Sequence, residues 1–318
     1  MRIRLSLLGV FVLGAALAMA ALLAWKSPWS FLRERNDSAQ EELFGSVRDD
    51  FGPVPRALVR IKGEAAVVES DAEGRFRLNG RVQPNARITA WKDGHIIGGV
   101  NAGPSPLEVV LKRLSGSDCE RYSWVDPTPD AAQKGNCANC HGQIYQEWAA
   151  SGHARSATGS HFRNLFEGTD RDGKEVGWSL LRDRPEGSGV CAACHAPTAG
   201  IGANAVKAEG VAAHGVHCDY CHKISGVGDG TIGLTHGRFN LDLLRPKEGQ
   251  LFFGPLDDVD RGEDAFSPLY KDSKYCASCH EGIVFGVHVY STYSEWLAST
   301  ARRDGKQCQH CHMAPTEQ

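Results

Sequence analysis

Five times the chain repeats two cysteines three positions apart with a histidine directly after the second: Cys137/Cys140/His141, Cys191/Cys194/His195, Cys218/Cys221/His222, Cys276/Cys279/His280 and Cys308/Cys311/His312. Ten of the eleven cysteines are used in this way, which leaves Cys119. Two thiols at that spacing can form thioethers with the vinyl groups of a porphyrin, and the adjoining imidazole can then take an axial position on its iron. This is the attachment signature of haem c. Zinc knuckles and a disulfide framework are the competing chemistries for so many cysteines. Neither demands a histidine after the second cysteine, and one stands there in every copy. The expectation is five covalently bound haems c, attached through the ten motif cysteines. The second and third motifs fall within the 32 residues 191–222, so two porphyrins are expected side by side there.

Further histidines are candidates for the sixth iron position. His288 follows its motif by eight residues and precedes a predicted helix, while His214 and His236 lie in glycine-flanked loops able to approach iron. His217 abuts Cys218 and His310 lies inside its own motif, so both are sterically poor ligands for their own haems; His161 reads as an exposed side chain. Methionine offers little, because Met1 and Met19 lie in the N-terminal segment and only Met313 remains.

These residues need elements to position them. Residues 119–318 number 200, or 40 for each of five motifs, which is too little chain for a conventional core. Short helices and long connections wrapped around porphyrins follow, and glycine-rich runs such as SGVGDGTIG agree. Two segments share the pattern Tyr-x-Glu-Trp-x-Ala-Ser, at Tyr145–Ser151 and Tyr293–Ser299. In a helix their Tyr and Trp occupy one face, so each reads as a haem-packing helix beside a motif.

Upstream, Arg2 and Arg4 precede an apolar run from Leu5 to Trp25. Residues 1–25 are therefore expected to be an export signal or, with arginines before the run and none directly after it, a transmembrane anchor. Residues 26–48 read as a polar linker. Residues 49–116 alternate in period two, with Phe76 and Leu78 against Arg75 and Arg77, between turn signals such as DAEG and KDG. This predicts a small antiparallel β-sandwich with no catalytic residues, a spacer or docking module dispensable for haem incorporation. Residues 117–318 form the haem domain. The net charge is −3, with 19 basic and 25 acidic side chains from 119 onward, so no nucleic-acid surface is expected. A redox partner with a basic docking face suits this balance.

The runs NCANCHGQIYQEWAASGHA, HCDYCHKI, YCASCHEGIVFGVHVYSTYSEWLAS and CQHCHM resemble the multihaem cytochromes related to hydroxylamine oxidoreductase, pentahaem nitrite reductase and the tetrahaem cytochrome of ammonia oxidisers. The resemblance covers 119–318. It implies a mainly α fold with closely packed haems, bis-histidine ligation for most of them, and a distal role for His153 within Trp-x-x-Ser-x-His. The run VPRALVRIKG followed by SDAEGRFRL and ITAWKDG resembles carboxypeptidase-regulatory-like domains, which implies a transthyretin-like sandwich. Nitrite reductases of the first family carry lysine in one motif, whereas histidine stands in all five here; hydroxylamine oxidoreductases carry more haems. The expectation is an electron carrier on the exported side of the membrane, serving redox partner proteins with a quinol-side donor among them. The alternatives are a reductase or oxidoreductase of nitrogen or sulfur compounds with one open haem, and a subunit of a conducting filament.

Overall fold

The computed structural model describes residues 41–314 apart from 81, 84, 184, 186–188, 200–207 and 285. The signal or anchor expected at 1–25 lies outside the described residues. Among the described residues no helix is long and apolar enough to cross a membrane.

Strand β1 (Glu41–Asp49) occupies the end of the stretch read as linker, so the sheet begins earlier than the sequence suggested. Leu43 and Val47 are buried while Glu42, Phe44 and Arg48 are exposed, the alternation of a half-buried strand. That alternation is masked because Gly45 takes an inward position. A Cβ there would stand 2.1 Å from the Leu107 carbonyl oxygen, so the close approach of the neighbouring strand requires glycine. On one side β1 pairs antiparallel with β2 (Gly52–Pro53) and β5 (Arg75–Gly80). On the other it runs parallel to β9 (Leu107–Val110), the one parallel pairing described in an otherwise antiparallel unit.

A second sheet has the order β4 (Val68–Glu69), β3 (Leu58–Ile61), β6 (Arg87–Trp91), β8 (Gly98–Asn101), antiparallel throughout. Leu43, Val47, Phe76 and Val109 from the first sheet and Val59, Ile61, Ile88 and Ala90 from the second belong to one buried cluster. The short pair β7 (His95–Ile96) and β10 (Lys112–Arg113) completes this strand unit. His95 Nε2 lies 3.1 Å from the buried Asp49 carboxylate, to which Arg113 Nε donates at 2.6 Å. These two partners hold the Asp49 carboxyl well below the usual carboxylate range.

From Cys119 the chain is made of short helices and turns. The helices are α1 (Gly142–Ala150), α2 (Ser160–Glu167), α3 (Leu180–Asp183), α4 (Gly189–His195) and α5 (Cys218–Cys221), then α6 (Lys274–His280), α7 (Thr292–Ala298), α8 (Thr300–Arg303) and α9 (Cys308–His312). Expected to be mainly α, the region also contains the two-stranded ladders β11 (Ile224–Val227) with β12 (Leu241–Leu243), β13 (Phe252–Gly254) with β14 (Asp264–Phe266), and β15 (Gly282–Val284) with β16 (Val287–Tyr290). Ile96 of the strand unit shares a buried cluster with Leu251, Phe253 and Ala265, so the two regions are packed together rather than strung on a free spacer.

Candidate haem-binding site

Four motifs lie on helices α4, α5, α6 and α9, and the first lies on the 3-10 turn Cys137–Asn139 that leads into α1. On a helix Cys, Cys and His at i, i+3 and i+4 share one face. The two residues between the cysteines turn to the opposite side, and there the protein packs. Ala192 and Ala193, Asp219 and Tyr220, and Ala277 and Ser278 are all buried. Small residues suit this position in α4 and α6, because the turn Gly237–Asn240 presses on both. Gly237 has φ +55°, and a Cβ on it would stand 2.2 Å from the Ala193 carbonyl oxygen. Asn240 Nδ2 donates to Ser278 Oγ at 3.1 Å. The fifth motif hangs on the approach to the fourth: Cys308 N donates to Ser273 Oγ at 2.8 Å and Gln309 Nε2 to the Asp272 carbonyl at 2.7 Å.

The motifs converge. The side chains of Cys137 and Cys218 meet, as do those of Cys194 and Cys279 and those of Cys276 and Cys308. Cys221 lies within electrostatic reach of Cys276 and Cys279. The second and third motifs, adjacent in sequence, sit around Tyr220; the direct contacts instead join first to third and second to fourth.

Cys140 and Cys311 are exposed, whereas the other eight motif cysteines are half-buried. The reason lies in how the outer motifs are attached. The first meets the third through Cys137 and the fifth meets the fourth through Cys308, in each case the leading cysteine, which turns the second one outward. Their local packing is also thin: Ala138 is the one buried residue of the first motif's turn, and α9 has none. Both thiols keep the motif spacing and remain candidates for thioether attachment.

The structure brings two of the candidate ligands together. The rings of His153 and His280 are 6.0 Å apart between centroids. Two imidazoles on one metal stand about 6 Å apart, with about 2 Å from metal to nitrogen on each side. Burial holds His153, His195, His222 and His280 below the ordinary imidazole range, and His280 is lowered further by His153, His312 and His195. The neutral form favoured in this way is the one that ligates metals. His214 closes the turn Gly210–His214 with its ring 6.1 Å from Trp148 and its Nε2 3.7 Å from Asp126 Oδ1. His288 lies on β16 with Nδ1 3.6 Å from Glu281 Oε1, which leaves Nε2 for another partner. His236 precedes Gly237 and is buried, and its Nε2 has no hydrogen-bond partner among the described residues. His217 is engaged elsewhere: Nδ1 accepts from Tyr220 N at 3.3 Å and Nε2 lies 3.3 Å from Thr198 Oγ1. His310 Nδ1 accepts from Gln307 N at 2.8 Å, and His161 is exposed on α2.

Haem c suits the atoms left over. Besides His236 Nε2, the buried Nε and Nη2 of Arg238 and the hydroxyl of Tyr220 lack partners among the described residues. Arg238 Nη1 is held by the Pro197 and Ala199 carbonyls at 2.5 and 2.9 Å, and burial lowers its pKa to about 10. Haem carries an iron that accepts an imidazole and carboxylates that accept from guanidinium and hydroxyl groups, so this donor set fits it. Beside the first motif a cleft of about 640 Å³ is lined by Trp124, Asp126, Asn136, Gln250 and Phe252 among others. That is within the usual range for cofactor sites. Sequence reading missed Arg238 and Tyr220. It also missed the ion pair of Asp219 with Lys223, both fully buried, although their i, i+4 spacing inside and just after the third motif was a signal.

The repeated helices are alike in structure. In α1 the Tyr145 and Trp148 rings are 5.7 Å apart, and in α7 those of Tyr293 and Trp296 are 5.5 Å apart. Each indole donates to a backbone carbonyl at 2.9 Å, Trp148 to Val216 and Trp296 to Lys306. Both helices stop at the repeat's serine, Ser151 or Ser299, in the same extended conformation. Cys119 is a half-buried free thiol whose amide donates to the Arg245 carbonyl at 3.0 Å.

The sequence profile of the family described as cytochrome c554 and c-prime matches residues 136–223, which hold the first three motifs. That match, over a segment where Cys, Cys and His recur at the haem-attachment spacing, supports a c-type cytochrome. Covalently bound haem c is the cofactor that belongs to this class. No curated protein matches the chain.

Proposed function

We propose that the protein is a pentahaem c-type cytochrome that conducts electrons through closely packed, mainly bis-histidine haems on the exported side of a membrane. The observation that carries this reading is the connected set of motif approaches: first to third, fourth to second and fourth to fifth through their cysteines, and third to fourth through Tyr275 Oη, which donates to the Cys221 carbonyl at 3.0 Å. Five independent sites would have no reason to touch. Haem c supplies an iron that gains and loses one electron. The chain supplies the rest: paired cysteines fix each porphyrin edge, and His141, His195, His222, His280 and His312 take one axial position. His153, His214, His236 and His288 are the second ligands available. Imidazole on both sides favours low potentials, because methionine ligation raises them. It also fills the position a substrate would need.

In this reading the strand unit is a transthyretin-like sandwich and residues 1–25 are the anchor or signal. The partners are redox proteins, with a quinol-side donor one candidate; the exposure of Cys140 and Cys311 favours the first and fifth motifs as docking points. The test is the spin state of the purified protein. Its mass should exceed that of the polypeptide by five haems, and the irons should be predominantly low-spin. His153→Ala should turn one haem high-spin and open it to carbon monoxide without loss of covalent attachment. A wild-type protein that binds carbon monoxide stoichiometrically and turns over nitrite or hydroxylamine would replace the carrier with an enzyme.

A further inference from the structure

The His222 ring is held by a backbone partner: Nδ1 lies 2.6 Å from the Phe253 carbonyl oxygen. Phe253 N donates back to the His222 carbonyl at 2.9 Å, which closes a two-way clasp. Phe253 lies on β13, opposite Ala265 of β14 in the parallel register. This small ladder is held from outside, by the strand unit. Ile97 N donates to the Asp264 carbonyl at 2.8 Å, and Trp91 meets Phe266 edge-on at 4.8 Å. Ile96 packs into the cluster that contains Phe253 and Ala265. The loop between β13 and β14 is pinned to the second sheet by ion pairs of Arg60 with Asp257 at 2.7 Å and of Lys62 with Asp260 at 2.8 Å, and Arg87 Nε donates to Asp260 at 2.6 Å. Asp260 is nearly closed to solvent, its side chain 3% exposed, where ion pairs and hydrogen bonds are least screened.

We propose that the strand unit is a positioning element for the haem held by Cys218, Cys221 and His222: by fixing the Phe253 carbonyl it keeps that haem at a lower potential than it would otherwise have. An acceptor on Nδ1–H makes the imidazole a stronger donor to iron and favours the oxidised state. The nearest cation, Lys223, is paired with Asp219 and does not cancel the effect. The proposal rests on the haem reading of the third motif, and not on whether the protein carries electrons or reduces a substrate. Its test reads potentials, whereas the carrier reading fails on carbon monoxide binding and turnover.

The experiment uses the full, haem-loaded chain. Asp257→Ala with Asp260→Ala removes both carboxylates from the dock and leaves every motif intact. In a spectroelectrochemical titration one component should move to higher potential by about tenfold in its redox equilibrium, 59 mV for one electron, while the others stay in place. Exchanging the charges, Asp260→Arg with Arg87→Asp, should return it towards the wild-type value. If the double alanine variant fails to load haem, Lys62→Ala is titrated under the same criteria, with a smaller shift of the same single component expected. A titration that superimposes on wild type, or one in which all components move together, overturns the proposal.

Discussion

The strand unit and the motif region bury opposite kinds of side chain. In the strand unit Val47, Val59, Ile88 and Val109 are wholly enclosed, β-branched residues on facing sheets that make an apolar core of their own. In the motif region the cluster around Phe162 and Phe166 is completed by Ala157, Ala192, Ala196 and Ala199. Other fully enclosed positions there are small or polar, among them Ala193, Ala277, His217, Asp219, Lys223, Ser273 and Ser278. Small and polar side chains line a region suited to closing around a large flat apolar group. One region carries its core in its sequence, and in the proposed reading the other is completed by a cofactor.

Haem removal should break that comparison most visibly. A chain exported without haem attachment should keep slow amide exchange across β1, β3, β6 and β9 while the amides of α4, α5, α6 and α9 exchange freely; uniform protection would mean that the motif region has a sufficient core. Next in size, Phe76→Ala should cost about 3–5 kcal/mol by removing a buried ring from a close-packed cluster. Denaturant unfolding followed by tryptophan emission should report this with haem absorbance unchanged until the main transition. Ala193→Leu tests the other side, since the turn at Gly237 lies directly on Ala193. It should cost about 1–3 kcal/mol by overpacking and should perturb the haem spectrum, because His236 moves with that turn.

The smallest effect is a pH dependence. Burial pushes the His217 imidazole down to about 4, whereas it titrates at about 6.5 unfolded. Between these values the unfolded chain binds the extra proton, so stability should fall as pH drops through that window. The expected loss is on the order of 1 kcal/mol from pH 6 to pH 5, and it should be absent in His217→Gln. Equal slopes in the two proteins, measured by urea midpoints, would remove His217 from the account.

What could be read in advance divides along a physical line. The motifs were legible because thioether attachment and axial ligation demand contiguous residues, and the strands around Phe76 and Leu78 because alternation is local. β1 was hidden by Gly45, whose purpose is a contact with Leu107, far along the chain. The meeting of Cys137 with Cys218, and of Cys194 with Cys279, depends on how loops return the chain. Spacing alone put the second and third motifs side by side. It also treated all ten cysteines alike, and the outward turn of Cys140 and Cys311 follows from which motifs end up at the periphery. Arg238 escaped notice because an arginine near a glycine reads as surface until its burial is seen. The Phe253 carbonyl escaped because a backbone atom has no letter in the sequence.

The parallel ladder between β1 and β9 also has a mechanical meaning. The chain enters the strand unit through the start of β1 and leaves towards the motif region from the end of β9, and these strands run the same way with Gly45 to Arg48 opposite Leu107 to Val110. Tension between the N-terminal segment and the motif region therefore pulls the two strands in opposite directions along a common axis. The rungs are strained together in shear, and none can be peeled open ahead of the rest. A tether attached at β1 would resist a tug far better than the same strand joined by a hairpin, where force unzips one rung at a time.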